Sequence, residues 1–396
     1  MEKDIIIRNI KVESKCDSIF GASHVASLEA MIDSQRLYFS VPEEFVEYLE
    51  RDSYDAFFIA ALPLALLTGR NIRIEGVLSE KLYYNVINDL IPILCIQRPE
   101  FRPVSVKCDG LRSTFYKDAK AVGCGFSGGI DSLCSIELNK MAPPSFKITH
   151  LFNINAGANS DNGLRYKQRY LERLATAYGI PLLNFDSNIH KVINLDHGRI
   201  DHSKIHTVRN LGSILALQKL VRKFIYSAGY AYQHCGVFQT DESSFADPIV
   251  LGLLSTEATE FISVGSRLTR VQKTEIVSEI PLSYECLHVC LRTCLVPPTT
   301  FDAPLNCGYC KKCLRTLLTL EILGKLERYS QVFDLGKYKA VRNSYIENHI
   351  IMLPDVFEKE IAEYAMDRKF APIVKKLKGR NLVKLKIQLA RFFAAR

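Results

Sequence analysis

The sequence predicts an α/β fold built on a doubly wound parallel sheet. From residue 119 onward, short apolar runs typical of strands alternate with segments of helical periodicity, which is the element order of such a sheet. A glycine-serine cluster ends the first of these runs. The 396 residues, 47% of them hydrophobic and 24% charged, can bury a full core. We expect ligands to bind at the carboxyl ends of the strands.

Residues 1–117 are predicted to form an additional N-terminal α+β domain. Strand patterns and two helical segments follow one another here, without any cluster of His, Cys or acidic residues at ligand spacing. The strands are expected at residues 4–12, 37–42, 71–76 and 104–108, and the helices at residues 53–69 and 80–94. The sequence assigns no chemistry to this domain.

Residues 118–325 are predicted to form the doubly wound domain, and residues 326–396 a helical C-terminal region. The expected strands lie at residues 120–126, 148–155, 181–188 and 231–238, and the expected helices at residues 131–140, 166–179 and 210–229. No apolar run is long enough to span a bilayer, and no secretory signal pattern is present. We therefore expect a cytoplasmic protein without a membrane span.

The formal net charge of +8 resides in the C-terminal tail. Residues 375–396 contain eight basic residues and no acidic one, and their apolar side chains recur at helical spacing. This basic tail is suited to contact with nucleic acid, a membrane surface or an acidic protein patch. A terminal helix packed on its own domain, with its charges in water, fits the same pattern. The sequence leaves the oligomeric state open, a homodimer included.

The stretch GFSGGIDS (residues 125–132) lies where a strand ends and a helix begins. Backbone amides are unpaired at a helix N-terminus, and the helix dipole is positive there, so anions bind readily. Glycines allow phosphate oxygens to approach closely. Ser127 adds a donor, Asp131 can hold Mg²⁺ on phosphates, and Ser132 can cap the helix or bind phosphate. The patterns GxxxxGK[ST] and GxGxxG are absent.

SGGIDS in this context resembles the PP-loop of N-type ATP pyrophosphatases, enzymes that split ATP into AMP and pyrophosphate while adenylating a substrate. The resemblance implies an adenine nucleotide alpha hydrolase-like fold and a magnesium-bound pyrophosphate on the loop. It assigns ATP binding to Phe126, Ser127, Gly128, Gly129, Ile130, Asp131 and Ser132.

Six of the twelve cysteines lie within residues 286–313, which in a cytoplasmic chain indicates a metal before disulfides. CGYCKKC supplies three thiolates, and one upstream cysteine would complete a tetrahedral zinc site. A bacterial ferredoxin cluster would need a further Cys-Pro, where LRT stands instead. The arrangement resembles the zinc site of the 7-cyano-7-deazaguanine synthase (QueC) family. That resemblance favours Cys290, with Cys286 and Cys294 as alternatives, and gives the set Cys290, Cys307, Cys310 and Cys313.

The same resemblance, which covers about residues 119–320, implies further site residues. Arg209 and Asn210 of HTVRN fall in the place of the family's basic substrate loop, and Asp241 and Asp247 of DESSFADP in that of its aspartate-rich segment. Lys273 falls where the family has a lysine near phosphate. The structural alternatives are a surface ion pair for Arg209, a solvated loop for Asp241 and Asp247, and a helix-surface charge for Lys273. Asp131, Arg209 and Lys273 are the expected catalytic residues.

The resemblance implies an ATP-dependent carbon–nitrogen ligase that uses ATP, Mg²⁺ and Zn²⁺. It would adenylate a carboxylate, 7-carboxy-7-deazaguanine or a related deazapurine, and pass the acyl group to ammonia or a partner-protein amine. The extra N-terminal region resembles QueC-like proteins of anti-phage operons. Two alternatives stay open: a tRNA-modifying PP-loop sulfurtransferase, and a nucleotide-binding scaffold without turnover. Sulfur insertion would need an exposed cysteine pair, whereas Cys124 and Cys134 are expected to be buried.

Overall fold

The computed structural model describes residues 4–15, 19–20, 24–157, 159–194, 202–298, 303–377 and 379. Ten strands lie in this part of the chain, and all of them join one sheet. They are β1 (Ile5–Lys15), β2 (Val25–Ile32), β3 (Gln35–Pro42), β4 (Ile72–Ser79), β5 (Val106–Arg112), β6 (Ala121–Gly125), β7 (His150–Asn155), β8 (Leu182–Ser187), β9 (Val221–Ser227) and β10 (Glu260–Val264).

The helices lie between and after these strands. They are α1 (Asp55–Thr68), α2 (Glu80–Asn85), α3 (Ile91–Gln97), α4 (Ile130–Asn139), α5 (Asp161–Tyr178), α6 (Ile189–Asn194), α7 (His202–Ile214), α8 (Asp247–Leu254), α9 (Arg270–Val277), α10 (Ser283–Cys286), α11 (Leu291–Leu295), α12 (Lys311–Ile322), α13 (Leu335–Tyr345) and α14 (Val356–Asp367).

The strand order in the sheet is β10-β9-β6-β7-β8-β3-β2-β1-β4-β5. Strand β3 pairs antiparallel with β8 and β2, and β2 pairs antiparallel with β1, whereas the remaining neighbours in the order are parallel. The prediction of an α/β fold is therefore confirmed. Strands β6 to β10, which include the strand before the glycine loop, form a continuous parallel portion of the kind that βαβ connections produce.

The N-terminal strands continue the same sheet instead of forming one of their own. Phe39 of β3 pairs with Ser187 of β8, and the Tyr38 hydroxyl lies 3.0 Å from Asp186 Oδ2. Helix α1 is buried along almost its whole length, and an added Cβ on Gly212 of α7 would lie 2.9 Å from Ile59. A helix that is apolar on every side belongs in the middle of a core.

The chain divides into two compact units. The first comprises residues 1–267 and 294–297 and contains the sheet, and the second comprises residues 268–293 and 298–396 and is helical where described. The limits predicted from the sequence, 1–117, 118–325 and 326–396, do not coincide with these units. Residues 380–396, most of the basic tail, lie outside the described residues.

The predicted helix at residues 210–229 and the predicted strand at residues 231–238 are wrong. Helix α7 already begins at His202, and residues 221–227 form β9 between β6 and β10. The run LVRKFIYS is apolar enough for either element, and periodicity alone cannot decide between a buried helix and a central strand. The segment after β9 contains a short turn of helix at Tyr232–His234 and no strand among its described residues.

Candidate functional site

The loop between β6 and α4 presents an uncapped helix N-terminus. The backbone amide of Phe126 donates to the carbonyl of Phe152 at 2.8 Å, which fixes the loop to β7. Gly128 adopts a left-handed φ of 71°, a conformation that glycine tolerates best. Gly129 is the N-cap residue of α4, and no side chain hydrogen-bonds to the first turn as a cap. The positive end of the α4 dipole is thus available to an anion.

The two serines of the loop lie close together. Ser127 Oγ is 3.4 Å from Ser132 Oγ and accepts a long hydrogen bond, 3.4 Å, from the Gly129 amide. Ser132 Oγ donates to the Gly129 carbonyl at 3.1 Å, so its hydroxyl does not cap the helix. Ser127 is exposed and Ser132 is buried. An incoming phosphate would therefore meet Ser127 first.

A cleft of about 220 Å³ lies beside this loop. It brings several of the predicted residues together with others that sequence reasoning missed. The residues that line it are Gly125, Phe126, Ser127, Asp131, Ser132, Phe152, Asn153, Ile154, Lys167, Asn210, Phe224, Tyr226 and Ser227. Asp131 is the one acid and Lys167 the one base among these described lining residues.

Lys167 is the residue that the sequence prediction missed. It lies on α5 with 5% of its surface exposed, and it makes no hydrogen bond or ion pair with any described residue. Burial lowers the pKa of its ammonium, and its electrostatic neighbour is the Cys294 thiol. The sequence did carry one sign that Lys167 is buried. Its spacing places it on the apolar face of α5 with Leu164 and Leu171.

Arg209 is a second buried cation. Its guanidinium donates to His202 Nδ1, its Nε has no hydrogen-bond partner, and it makes no ion pair within the part of the chain that the structure describes. Burial lowers the pKa of Arg209 to about 10. Its electrostatic neighbour, Tyr226, is a lining residue of the cleft, although Arg209 itself is not. The predicted alternative of a surface ion pair is thereby wrong for the described residues.

The remaining predicted substrate residues differ in position. Asn210 lines the cleft, as Tyr226 does. Asp241 is exposed and pairs with Lys204 Nζ at 3.1 Å. Asp247 is buried and accepts from Thr207 Oγ1 at 2.7 Å, and its Oδ2 has no hydrogen-bond partner among the described residues. Neither aspartate is among the residues that line the cleft.

Lys273 belongs to the second unit. It lies on α9 and is almost completely buried. All residues that line the cleft belong to the first unit. The prediction that Lys273 acts on phosphate therefore stays a prediction.

Four cysteines in the second unit form a group that could hold a metal such as zinc. The Sγ atoms of Cys290, Cys307, Cys310 and Cys313 all lie within 4.8 Å of one another, and three of the pairs are 3.4 to 3.9 Å apart. A tetrahedral site with zinc–sulfur bonds of about 2.3 Å has sulfur–sulfur edges of about 3.8 Å. The thiol group fits a closed zinc site, and Cys286 and Cys294 are not part of it.

Local geometry explains how the four thiols meet. Gly308 has a φ of 77°, and an added Cβ there would lie 2.2 Å from the Asp334 carbonyl oxygen. The Cys310 amide donates to Cys307 Sγ at 3.3 Å, and α12 begins at once and carries Cys313. Hydrogen bonds from the other three thiols lower the pKa of Cys290. Hydrogen bonds within the group raise the pKa of Cys310 and Cys313, and metal binding would require all four thiols to lose their protons.

Asn306 holds the upstream ligand in place. Its Oδ1 accepts from the amides of Val289 and Cys290 at 2.7 and 3.0 Å, and its Nδ2 donates to the carbonyls of Leu287 and Val332. Asn306 is completely buried. One side chain thereby joins the segment before Cys290 to the segment before Cys307.

Comparison of the chain with known protein families, with curated proteins and with solved structures finds no significant match. Within the described ranges, no helix combines the length and the apolarity that crossing a bilayer requires.

Proposed function

We propose that the chain is a PP-loop ATP pyrophosphatase of the QueC-like type, which adenylates a carboxylate and passes the acyl group to an amine. The observation that carries the proposal is Lys167. A buried ammonium without a counter-ion is costly, so its site is expected to gain an anion. The same cleft is lined by the uncapped start of α4, which is the place where a polyphosphate binds most readily.

ATP is proposed to place its pyrophosphate on residues 127–132, between the α4 N-terminus and Lys167. Asp131 is the carboxylate that lines the cleft and would hold Mg²⁺, which would neutralise charge on the phosphates. The amides of the loop and the Lys167 ammonium stabilise the charge that develops on leaving pyrophosphate. No side-chain nucleophile is required for this step.

The carboxylate substrate is proposed to bind beside Asn210 and Tyr226, with Arg209 close behind them. The Arg209 guanidinium donates to His202 Nδ1 but makes no ion pair with a described residue, so its positive charge would attract a carboxylate. The carboxylate oxygen would attack the α-phosphorus of ATP, and the acyl-adenylate would then meet ammonia or a partner-protein amine. We propose 7-carboxy-7-deazaguanine as the acid, on the basis of the resemblance to the QueC family.

The sulfurtransferase alternative is less well supported. Cys124 and Cys134 are buried, and burial raises the pKa of Cys124 to about 12. Such a thiol is a poor nucleophile at neutral pH. We therefore do not propose sulfur insertion.

The test is AMP release from ATP and Mg²⁺ by the zinc-loaded protein, with and without 7-carboxy-7-deazaguanine. AMP should appear only with the acid and should fall to background in Asp131→Ala. Lys167→Met should weaken ATP binding at least about 30-fold, since it removes a buried charge from an ion pair. Lys140→Met, at the exposed far end of α4, is the matched control and should bind ATP normally.

ATP binding without AMP release would support the scaffold alternative. Unchanged ATP binding in Lys167→Met would contradict the placement of the phosphates.

A further inference from the structure

We propose that Glu242, His206 and Tyr226 form a proton relay that removes a proton from the attacking amine. The inference rests on the proposed function and adds to it the route by which the amine loses its proton. Tyr226 would be the residue that touches the substrate. His206 and Glu242 would act through Tyr226 as positioning residues.

The three side chains form a continuous hydrogen-bonded chain. Glu242 Oε1 lies 2.8 Å from His206 Nε2, and His206 Nδ1 lies 3.0 Å from the Tyr226 hydroxyl. His206 lies on α7, Tyr226 on β9, and Glu242 in the segment before α8. The chain of bonds therefore depends on three elements that meet at the carboxyl end of β9.

The chemistry of Glu242 decides the direction of these bonds. A carboxylate only accepts hydrogen bonds, so His206 Nε2 must carry a proton toward it. In the neutral imidazole, Nδ1 is then a bare acceptor for the Tyr226 hydroxyl. The neighbouring Thr207 hydroxyl donates to Asp247 Oδ1 at 2.7 Å, which leaves Nδ1 to Tyr226. This is the orientation that a general base needs.

Tyr226 connects the relay to the cleft. Its side chain lines the same cleft as Asp131, Lys167 and Asn210. The remote end of the relay, Glu242, does not line the cleft. The relay thus leads from the proposed acyl-adenylate through the side chains of Tyr226 and His206 to the Glu242 carboxylate.

Several titratable groups face His206. Glu242 hydrogen-bonds to it, and the bond lowers the pKa of Glu242 although burial opposes ionisation. Asp247, from the start of α8, also acts on His206 electrostatically, but burial raises the pKa of Asp247 to about 6. His202, one turn earlier on α7, stacks on the ring with centroids 5.4 Å apart, and Arg209 follows on the same helix.

Transfer of the acyl group to the amine breaks one bond for each bond that it forms. The amine nitrogen bonds to the acyl carbon, the bond from that carbon to the phosphate oxygen breaks, and AMP leaves with the electron pair. The amine proton passes to the Tyr226 oxygen while the phenol proton passes to His206 Nδ1. The imidazolium that forms is held by Glu242 and later loses its proton to solvent.

The first experiment reads the tautomer of His206 by nitrogen NMR of histidine-labelled protein at neutral pH, with His206→Gln to assign the signals. We expect a proton on Nε2 and none on Nδ1. A proton on Nδ1, in either the other tautomer or the imidazolium, would overturn the relay whether or not the enzyme activates this acid.

The second experiment separates adenylation from transfer. With 7-carboxy-7-deazaguanine, His206→Gln should keep pyrophosphate–ATP exchange within about twofold of wild type, because adenylation does not use the relay. Its ammonium-dependent AMP release should fall about 100-fold, the scale of general-base catalysis. The pH profile of that rate should also change, because the glutamine side chain cannot take up the relayed proton. The exposed His349→Gln is the matched control.

An unchanged pH profile in His206→Gln would overturn the relay while exchange still supports the proposed function. Absence of exchange in the wild type would instead overturn the proposed function for this acid. The tautomer of His206 would then test only whether the hydrogen-bonded chain has the proposed direction.

Discussion

Gly163 packs directly against the backbone of Cys294: an added Cβ at position 163 would lie 1.9 Å from the Cys294 carbonyl oxygen. The Ser160 amide donates to the same carbonyl at 3.0 Å, and Ser160 Oγ bonds to the Leu295 carbonyl at 2.7 Å. The start of α5 is thereby fixed to residues 294–295. Lys167 follows Gly163 by one helical turn on the same face, so this contact sets where its ammonium lies.

Gly163→Ala is therefore expected to destabilise the protein and to weaken ATP binding. A helical glycine normally gains about 1 kcal/mol on replacement by alanine, but here the helix must shift away from a carbonyl, at a cost of about 1–3 kcal/mol. Urea unfolding and ATP titration measure the two effects. Gly252→Ala in α8 is the matched control, because no atom lies within 4 Å of an added Cβ there. A gain in stability at both positions would contradict the close packing.

Lys167→Met is expected to stabilise the nucleotide-free protein although it weakens ATP binding. Burial lowers the pKa of Lys167, so the folded state disfavours the charged form. The folded protein carries this cost at pH 7, and the cost disappears as the pH rises above the unfolded value of 10.5. The gain of the variant should accordingly shrink between pH 7 and pH 10 in urea unfolding. A loss of stability at pH 7 would indicate that Lys167 serves packing instead of binding.

Cys290→Ala is expected to lower the zinc content of the purified protein from one ion per chain to well below one. Three thiolates leave the site open, and structural zinc sites use four ligands. Metal analysis after dialysis against a chelator measures this. Cys286→Ala is the control, because Cys286 is buried nearby in the sequence but outside the thiol group. Zinc loss in Cys286→Ala with retention in Cys290→Ala would reverse the assignment.

Asp247→Asn is expected to stabilise the protein in a pH-dependent way. Burial raises the pKa of Asp247 from 3.8 to about 6, so the folded state disfavours the carboxylate. The cost is absent below the unfolded pKa of 3.8, grows between that value and the folded value of about 6, and has levelled off at about 3 kcal/mol by pH 8. The variant should gain that amount at pH 8 and about 1 kcal/mol at pH 4.5. A pH-independent gain in Asp247→Asn would contradict the raised pKa.

The sequence by itself predicted the α/β class, the glycine loop at a strand-to-helix junction and three of the four thiols that could hold a metal, and the family resemblance added Cys290. These features are local: a strand followed by GFSGGIDS must turn there, and CGYCKKC brings three thiols within reach of one ion through a tight turn and the first turn of a helix. The position of Cys290 could not be predicted from local sequence, because its backbone amide is held by Asn306, sixteen residues away.

Tertiary structure alone decided the rest. The run LVRKFIYS becomes a strand because β6 and β10 offer backbone partners on both sides, which no local periodicity records. Lys167 looks like one more charge on a basic helix until the fold buries it and makes it line the cleft. The chain of Glu242, His206 and Tyr226 joins residues up to 36 positions apart. Local propensity determines where a chain turns, whereas long-range packing determines which charges lose their water and therefore need a ligand.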